Sequence, residues 1–516
     1  MVVKGRIKKG EYFDSVSLMV VGKKVSAMEG VIDAAVVMGT KENRAILKAS
    51  GLLLPEFAGA DDTDLLIAVK ARAEEAVSGI QGKIDGFLDD LKHRKSAGGG
   101  EFRPQSMGGA LKALPDANLA LISVAGRYAG SEAMRALERG LHVMIFSDNV
   151  PLKTEIELKK YAAKKGLLVM GPDCGTAIIN GAPLAFANVV RRGNIGVVAA
   201  SGTGLQEVSC IISNSGGGIS QAIGTGGRDV KKEVGGIMFI AALRALAHDE
   251  ETAVILLVSK PPHKDVLARI GRELKRVKKP VVAVFLGANP EGLKKYGMRG
   301  AATLEDAAVA ALALAQGRDK VWPAAAAGGA REHSLAARTA DKLARGRKCV
   351  RGLFSGGTFC GEAQVILEPM LGALYSNAPS GKTKKLGDAL KSRGHTVVDM
   401  GADEFTVGRP HPMIDYSLRN RRIRAEAEDP RTAVILLDVV LGYGANPDPA
   451  AELGPVVGRA AKSAAIVCSV TGTDGDPQDK KALEETLRKA GAVVMPTNAA
   501  ACRLAGEIVL LQDKKS

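Results

Sequence analysis

The sequence predicts a multidomain α/β protein built largely on parallel sheets, and three observations carry that prediction. Hydrophobic residues make up 46% of the chain, glycine is abundant at 61 residues and aromatics are scarce at 4%, which is the usage of Ala/Val/Leu-rich parallel strands covered by helices. At 516 residues the chain exceeds the roughly 250–300 beyond which one hydrophobic core stops growing, so several domains are expected. From Leu119 onward, short apolar runs repeatedly end in a Gly-containing turn and lead into helical periodicity.

The elements follow in order. Residues 1–96 alternate short apolar strands, Ala34 to Met38 and Leu65 to Val69, with a helical pattern from Ala71 to Leu91, as in a small α/β, ferredoxin-like domain. Ser96 to Gly100 reads as a flexible linker. Residues 104–188 run LALISVAG, SEAMRALERG, HVMIFSD, TEIELKKYAAKKG and LLVMGPD, a βαβαβ series whose right-handed crossovers give a parallel sheet. Its ligand edge is predicted at the strand C-termini, where Gly126, Asp148 and Gly171 to Gly175 lie. Residues 189–318 repeat the pattern through NIGVVAASGTG, QAIGTGGRDV, TAVILLVSKPP and KPVVAVFLG. A linker is expected over 319–345, with the low-complexity stretch Val321 to Ala330 in it. A last α/β series fills 346–516, with VRGLFSGGT, HTVVDMGAD, TAVILLDVVLGYGA, SAAIVCSVTGTDGDP and AGAVVMPTN. TAVILLVSK and TAVILLDVV suggest that these last two domains share a plan.

Composition also excludes function classes. The formal charge is +15, but the densest basic groups, Lys92-His93-Arg94-Lys95 and Lys382-Thr383-Lys384-Lys385, are short and carry no aromatics to stack bases. Nucleic acid is therefore not an expected partner, and these runs read as solvated surface. Six cysteines without a CxxC pair argue against a disulfide framework and against zinc, and point to a reducing compartment. The N-terminal residues lack an apolar signal core, and uncharged stretches such as Val208 to Gly227 are too polar to span a bilayer. The expectation is a soluble, cytoplasmic protein without membrane contact.

The chemistry is expected in the loops. Ala200-Ser201-Gly202-Thr203-Gly204 closes a strand and opens a helix, so unpaired amides and the positive end of the helix dipole converge there with two hydroxyls. A phosphate fits; a tight turn capped by Ser or Thr is the alternative. Ser355-Gly356-Gly357-Thr358 has the same architecture, and Gly442-Tyr443-Gly444-Ala445 follows another apolar strand. No GxxxxGK[ST] is present, nor a clean GxGxxG with its acidic partner, which disfavours a P-loop and NAD. Gly226-Gly227-Arg228-Asp229 ends a glycine turn in an Arg suited to a carboxylate or phosphate, with a surface Arg–Asp pair as the alternative. Gly408-Arg409-Pro410-His411-Pro412 gathers a guanidinium and an imidazole among stiff prolines, so that His411 is a candidate proton shuttle or a structural histidine. In Gly171-Pro172-Asp173-Cys174-Gly175, Cys174 is either a ligand-lining or packing residue or a thiolate activated by a helix start. No cluster has metal-ligand spacing, although Mg²⁺ held through a substrate phosphate would leave little trace.

These motifs, MGPDCGTA, AASGTG, GTGGRDV, VGRPHPMID, LLDVVLGYGA and SVTGT, resemble the FdrA family over nearly the whole chain. More distantly, 118–318 resembles the α subunit of succinyl-CoA synthetase, with Gly171 through Gly175 and Ala199 through Thr203 on its GPNCPG and SRSGT loops. The region after about 346 resembles the CoA-ligase domain of the β subunit. The resemblance implies a Rossmann-like CoA-binding-type domain over 104–188. Flavodoxin-like succinyl-CoA-synthetase-type domains are implied over 189–318 and 346–516. It further implies two helix N-termini facing one phosphate, assigned to Ser201–Gly204 and Gly442–Ala445, each worth about 1–2 kcal/mol to a partly buried anion.

The chain also departs from those ligases. The segment matching the phosphorylated histidine reads Gly297-Met298-Arg299-Gly300-Ala301, the turn matching its supporting carboxylate reads Val258-Ser259-Lys260-Pro261-Pro262, and no ATP-grasp domain is evident. What the resemblance implies is a subunit of an oxamate carbamoyltransferase in allantoin and purine catabolism. It would use acyl-phosphate and carboxylate substrates, act with partner subunits and be capable of self-association. In that reading Arg228 and Arg409 clamp substrate charge, His411 shuttles a proton, and the loops at Asp173–Cys174, Ser201–Gly204, Gly226–Gly227, Ser355–Thr358 and Gly442–Ala445 bind substrate. CoA and Mg²⁺ are the cofactors to consider. A CoA ligase working with a nucleotide-binding partner, or a non-catalytic metabolite-binding scaffold, are the rivals.

Overall fold

The computed structural model of the protein describes residues 2–514 apart from 12, 14, 27, 41–42, 45–46, 49, 74–78, 81, 91–103, 105, 319–328 and 407–409. The Lys92–Lys95 group, the Ser96–Gly100 linker, most of the Val321–Ala330 stretch, Gly408 and Arg409 thus lie outside the described residues. Two compact units are formed, one from Met1–Leu114 with Asp403–His411, the other from Pro115–Ala402 with Pro412–Ser516.

In the smaller unit, β1 (Val2–Lys8), α1 (Ser15–Ser26), β2 (Val31–Met38) and β3 (Leu65–Ala71) form an antiparallel sheet in the order β1-β3-β2. Inserting β3 between the two strands of a β-α-β unit is the split arrangement of ferredoxin-like domains. Both faces of β3 are buried: Leu65, Ile67 and Val69 pack with Leu18, Val21 and Val25 of α1, while Leu66 and Ala68 pack with Leu47 and Phe57. The strand runs through Ala71, so the helix expected from Ala71 starts later, and Ile84 and Leu88 of its described part complete the core at i, i+4 spacing.

The larger unit holds three sheets. β4 (Leu119–Ile122), β5 (His142–Ile145) and β6 (Val169–Met170) pair in parallel, joined by α2 (Gly126–Glu138) and α3 (Leu152–Lys165). The chain then makes a hairpin, β7 (Thr176–Ile179) and β8 (Ala182–Ala185). Its turn residues Asn180 and Gly181, with φ of 50° and 81°, suit a type I′ turn matched to strand twist. This hairpin edges the second sheet, so that sheet already begins within 104–188.

That sheet, the first lobe, continues with β9 (Arg192–Ala199), α4 (Gly202–Asn214), β10 (Ile219–Gly224), α5 (Ile237–His248), β11 (Val254–Ser259), β12 (Val281–Phe285), β13 (Arg299–Ala301) and α6 (Leu304–Ala315). Its order is β13-β12-β11-β9-β10-β7-β8. The parallel strands β9 to β13 therefore follow the 2-1-3-4-5 order of flavodoxin-like sheets.

The third sheet, the second lobe, contains β14 (Cys349–Phe354), α7 (Gly357–Leu371), β15 (Leu374–Ser376), β16 (Lys384–Lys385), β17 (His395–Asp399), α8 (Ser417–Glu428), β18 (Thr432–Val440), α9 (Pro449–Ala460), β19 (Ala465–Thr471), β20 (Ala492–Met495) and α10 (Asn498–Asp513). Its order, β16-β15-β17-β14-β18-β19-β20, is the same 2-1-3-4-5 arrangement with β15 and β16 added at one edge. The lysines of β16 are exposed on that edge strand, where charge blocks edge-to-edge pairing.

Sequence patterning explains the burial. All nine residues of β18 are buried, as expected of a strand with helices over both faces. The two TAVILL segments, at Thr252 and Thr432, lead into the equivalent strands β11 and β18, beside β9 and β14 in their respective sheets.

Candidate functional site: paired helix N-termini

In each lobe the first strand ends in a small-residue turn that starts a helix at the C-terminal edge of the sheet, where open α/β sheets bind ligands. Ser201 caps α4, its Oγ accepting from the Gly204 amide at 3.0 Å. Gly356 occupies the equivalent position before α7 without a side-chain cap. The two starts abut: the Ser201 and Thr358 hydroxyls are hydrogen-bonded, and a Cβ on Gly356 would lie 2.7 Å from Thr203 Cγ2. Among the described residues, the amides of Gly202 and Thr203 and those of Gly357, Thr358 and Phe359 donate to no protein acceptor. These are the orphan first-turn donors of two helices, and two macrodipoles place partial positive charge at one location.

This pairing corrects one expectation. The partner of Ser201–Gly204 is Ser355–Thr358, not Gly442–Ala445. No helix starts at Gly442; the next begins at Pro449, capped by Asp448. The loop amides are also engaged, Gly442 to Gln478 Oε1 at 3.0 Å, Tyr443 to the Ala187 carbonyl at 2.9 Å and Ala445 to the Gly442 carbonyl. Gly442 and Gly444 are glycine because the segment Phe186–Asn188 crosses them closely, with would-be Cβ atoms 2.6 Å from the Ala187 carbonyl and 2.7 Å from the Phe186 ring.

Asp438, fully buried on β18, supports the second helix start from behind. Its carboxylate accepts from the Ser355 amide at 2.7 Å, the Ser355 hydroxyl at 2.5 Å and the Gly356 amide at 3.2 Å, and pairs with the buried Arg419 at 3.1 Å. Ser355 is therefore a structural member of the turn. Asp399, closing β17, lies so near Gly357 that a Cβ there would be 2.6 Å from its Oδ2, and its Oδ1 accepts from the Gly401 amide at 3.0 Å. On the other side, β11 pairs in parallel with β9, Val258 opposite Ala199, and the exposed Lys260 follows the end of β11. Burial pushes the Cys360 thiol of α7 up to about 12, with the Asp399 charge adding to the shift and the Lys260 charge opposing it.

Other expected residues lie elsewhere. Arg228 is no free clamp: its Nε pairs with Glu155 at 2.8 Å and its Nη2 donates to the Val150 carbonyl. It belongs to a buried network in which Lys159 binds Glu155 at 2.8 Å, Asp229 at 2.9 Å and the Thr225 carbonyl, while Asp229 caps α5 through the Phe239 amide. Burying one cation is tolerable because two carboxylates meet it and each is hydrogen-bonded. Gly226 admits the Pro172 carbonyl, 2.4 Å from a would-be Cβ, whereas Gly227 is exposed. Cys174 is 3% exposed and burial holds its thiol up at about 12, which corrects any reading of it as a thiolate; it packs in the first-lobe core. Asp173 is exposed beside it. His411 groups with the smaller unit, and Arg409 lies outside the described residues. Met298, where ligases carry the phosphorylated histidine, is 2% exposed in the first-lobe core.

Two buried carboxylates went unseen in the sequence. Glu207, on α4 six residues after its cap, accepts from the Thr471 hydroxyl at 2.5 Å and from the Asn498 amide at 3.0 Å. Glu362, on α7 six residues after its cap, accepts from the Leu304 amide at 2.7 Å and from Asn498 Nδ2 at 2.8 Å. Burial raises both acids, Glu362 to about 8, with the negative charges of Glu207 and Glu305 adding to its shift. A carboxyl whose folded value lies above its unfolded one binds more protons when folded. Its contribution is therefore fully present below the ordinary carboxylate range and is lost as pH rises through about 8. We expect thermal stability to decline over that window, and Glu362→Gln, neutral throughout, to flatten the decline; an unchanged pH profile in the variant would remove Glu362 as its source.

Among the described residues no group of three or more His, Cys, Asp or Glu side chains is placed to hold a metal ion, and no helix is long and apolar enough to cross a membrane.

Three family models match parts of the chain. The family model for CoA-ligase matches residues 353–508, that for the CoA binding domain residues 190–287, and that for the AllF heavy metal-associated domain residues 1–104. The CoA-binding match thus falls on the Ser201 lobe. The first cysteine of the chain is Cys174, so the last match carries no thiolate metal site. Uncharacterized protein YahF of Escherichia coli is 39% identical over 525 residues, covering 99% of both chains. The α subunit 2 of the ADP-forming succinate–CoA ligase of Archaeoglobus fulgidus is 28% identical over 36% of this chain and 64% of its own. The apo form of acetyl-coenzyme A synthetase 1 from Ca. Korarchaeum cryptofilum covers 77% of this chain and 83% of its own at 14% identity, with a TM-score of 0.29, too weak a likeness to add to the fold described above.

Proposed function

This chain belongs to the FdrA family of acyl-CoA-synthetase-like, succinyl-CoA-ligase-like proteins, and we propose that it binds phosphate and an acyl phosphate between the starts of α4 and α7. The observation that carries this is the direct Ser201–Thr358 contact, which brings the orphan amides of Gly202, Thr203, Gly357, Thr358 and Phe359 together. With Met298 in place of a phosphorylatable histidine and buried in the core, the paired helices handle substrate phosphate rather than a phosphoenzyme. Within that chemistry the reading is transfer of the carbamoyl group of carbamoyl phosphate to the amide nitrogen of oxamate, in a complex with partner subunits. The C–N bond forms, the C–O bond to phosphate breaks, and phosphate leaves with the electron pair and accepts the proton displaced from nitrogen. The amides stabilise the charge that grows on the leaving phosphate, and Lys260 offsets its excess. Mg²⁺ that arrives on the substrate phosphate, held largely through substrate oxygens, would supply charge neutralisation.

A second reading, thioester chemistry with CoA, is favoured by the CoA-binding match over 190–287. Against it stands Met298, buried in the first-lobe core where a thioester-forming ligase of this kind would need its phosphorylatable histidine. Thermal-shift titration of the full-length protein separates the two. Ligands that prefer the folded state stabilise by RT ln(1 + [L]/Kd), about 2.7 kcal/mol at a hundredfold excess over Kd. We expect carbamoyl phosphate and inorganic phosphate to raise the midpoint and CoA to leave it unmoved. Stabilisation by CoA alone would overturn the carbamoyl reading.

A further inference from the structure

The two buried glutamates are exchanged between the lobes. Glu207 belongs to the first helix of the first lobe, yet its carboxylate receives the opening amide of α10, the last helix of the second lobe. Glu362 belongs to the first helix of the second lobe, and its carboxylate receives the opening amide of α6, the last helix of the first lobe. Each follows its helix cap by six residues, and each receiving helix is capped by a threonine, Thr497 or Thr303. Asn498 links the two acids, its amide on Glu207 and its side chain on Glu362. Arg503 of α10 adds a cross-lobe ion pair to Glu305 of α6 at 2.8 Å.

We propose that Glu207 and Glu362 are a crossed pair of positioning residues that hold the starts of α4 and α7 against each other and so set the geometry of the phosphate site. The inference rests on the reading of those helix starts as that site. An acid one and a half turns into each helix cannot touch a ligand at the first turn. It fixes the azimuth and depth of its helix relative to the opposite lobe, and the Ser201–Thr358 contact depends on both helices at once. Separate anchoring of each helix within its own lobe would leave that contact to chance; exchanged anchoring makes any slip of one lobe draw on both acids. A glutamine at 362 keeps both of its own contacts, because its carbonyl still accepts from Leu304 and its amide can donate to Asn498 Oδ1, which has no protein partner here, after a flip of the Asn498 amide that gives up the longer Asn498 Nδ2 bond to the Phe359 carbonyl at 3.3 Å.

The test uses the full-length protein, inorganic phosphate as the probe, and hydrogen exchange at the starts of α6 and α10. Glu362→Ala should speed exchange around Leu304, in the lobe that does not contain it, and Glu207→Ala around Asn498. Each should weaken phosphate binding about tenfold, the scale on which misplaced supporting groups act, and Glu362→Gln should restore affinity to within about twofold of the parent. A folded Glu362→Ala protein that binds phosphate like the parent, or exchange that stays unchanged at the opposite lobe, would overturn the clasp. If the alanine variants do not fold, Asn498→Ala keeps the amide on Glu207 and removes the side-chain bonds to Glu362 and to the Phe359 carbonyl; it should speed exchange around Leu304 and weaken phosphate binding about threefold, and parental behaviour in both sinks the proposal. A parent that does not bind phosphate rejects the assigned site, while the exchange pattern alone still decides the clasp.

Discussion

Gly356→Ala is expected to remove most of the phosphate-induced stabilisation while leaving the protein folded. A Cβ at this position meets Thr203 Cγ2 at 2.7 Å, Phe359 Cδ2 at 2.8 Å and Thr203 Oγ1 at 2.8 Å, all shorter than a carbon contact can be, and none is the free end of a flexible chain. Gly356 has φ of −113°, so alanine fits its backbone and the effect is purely one of space. The cheapest relief is separation of the two helix starts, which costs about 1–3 kcal/mol of stability as overpacking and breaks the Ser201–Thr358 contact. Since charge stabilisation falls off within the first turn of a helix, a shift of about 1 Å is enough to lower phosphate affinity by roughly a hundredfold. Isothermal titration with inorganic phosphate checks this. A Gly356→Ala protein with parental affinity would mean that phosphate, if bound, sits elsewhere. Gly361, facing open space on the same helix, is the control, and Gly361→Ala should bind normally.

The residues at the site divide by whether their role is local. Ser201 and Ser355 could be read because a strand running into a small-residue turn and then a helix is a pattern within ten positions. Which two turns meet is decided by how the lobes pack, and three candidates of equal local quality were present. The structure discards the Gly442 turn because Phe186–Asn188 and Gln478 use its amides, contacts more than 35 and 250 residues away in sequence. Arg228 fails for the same reason: an Arg after a glycine turn looks available until Glu155, on a helix of the preceding sheet, is seen to hold it. Glu207 and Glu362 left no local signal, since an acid inside a helix reads as exposed surface. Their equal offset from the two helix caps was the one clue, visible only once the two turns had been aligned. The β7–β8 hairpin, by contrast, carries a local Asn180-Gly181 signal set among βα repeats that point to a parallel sheet.

Arg419→Met should strongly destabilise the second lobe while leaving the Ser355 and Gly356 bonds to Asp438 in place. Arg419 is 1% exposed, stacks over the Tyr416 ring at 4.6 Å, and donates to both the carbonyl and the carboxylate of Asp438. Methionine replaces the length of the side chain but not its charge, so the fully buried Asp438 carboxylate would lose its counter-ion and retain Ser355 and Gly356 as donors. Removing one member of a buried pair costs about 3–5 kcal/mol because the survivor is left as an uncompensated buried charge. The companion double variant, Arg419→Met with Asp438→Asn, removes both charges and should recover part of that loss despite containing an additional substitution, giving a favourable coupling in the double-mutant cycle. The recovery would be incomplete, because an asparagine oxygen can replace only one of the two carboxylate oxygens: in one orientation its NH₂ meets the Gly356 amide, in the other the Ser355 amide. Thermal unfolding of the four proteins of the cycle measures it, and phosphate titration of the double variant separates charge from geometry. Restored stability with weakened phosphate binding would show that Asp438 serves the site by orienting the Ser355–Gly356 turn, whereas a double variant no more stable than Arg419→Met would mean that the pair is not coupled and the cost lies in lost packing around Tyr416.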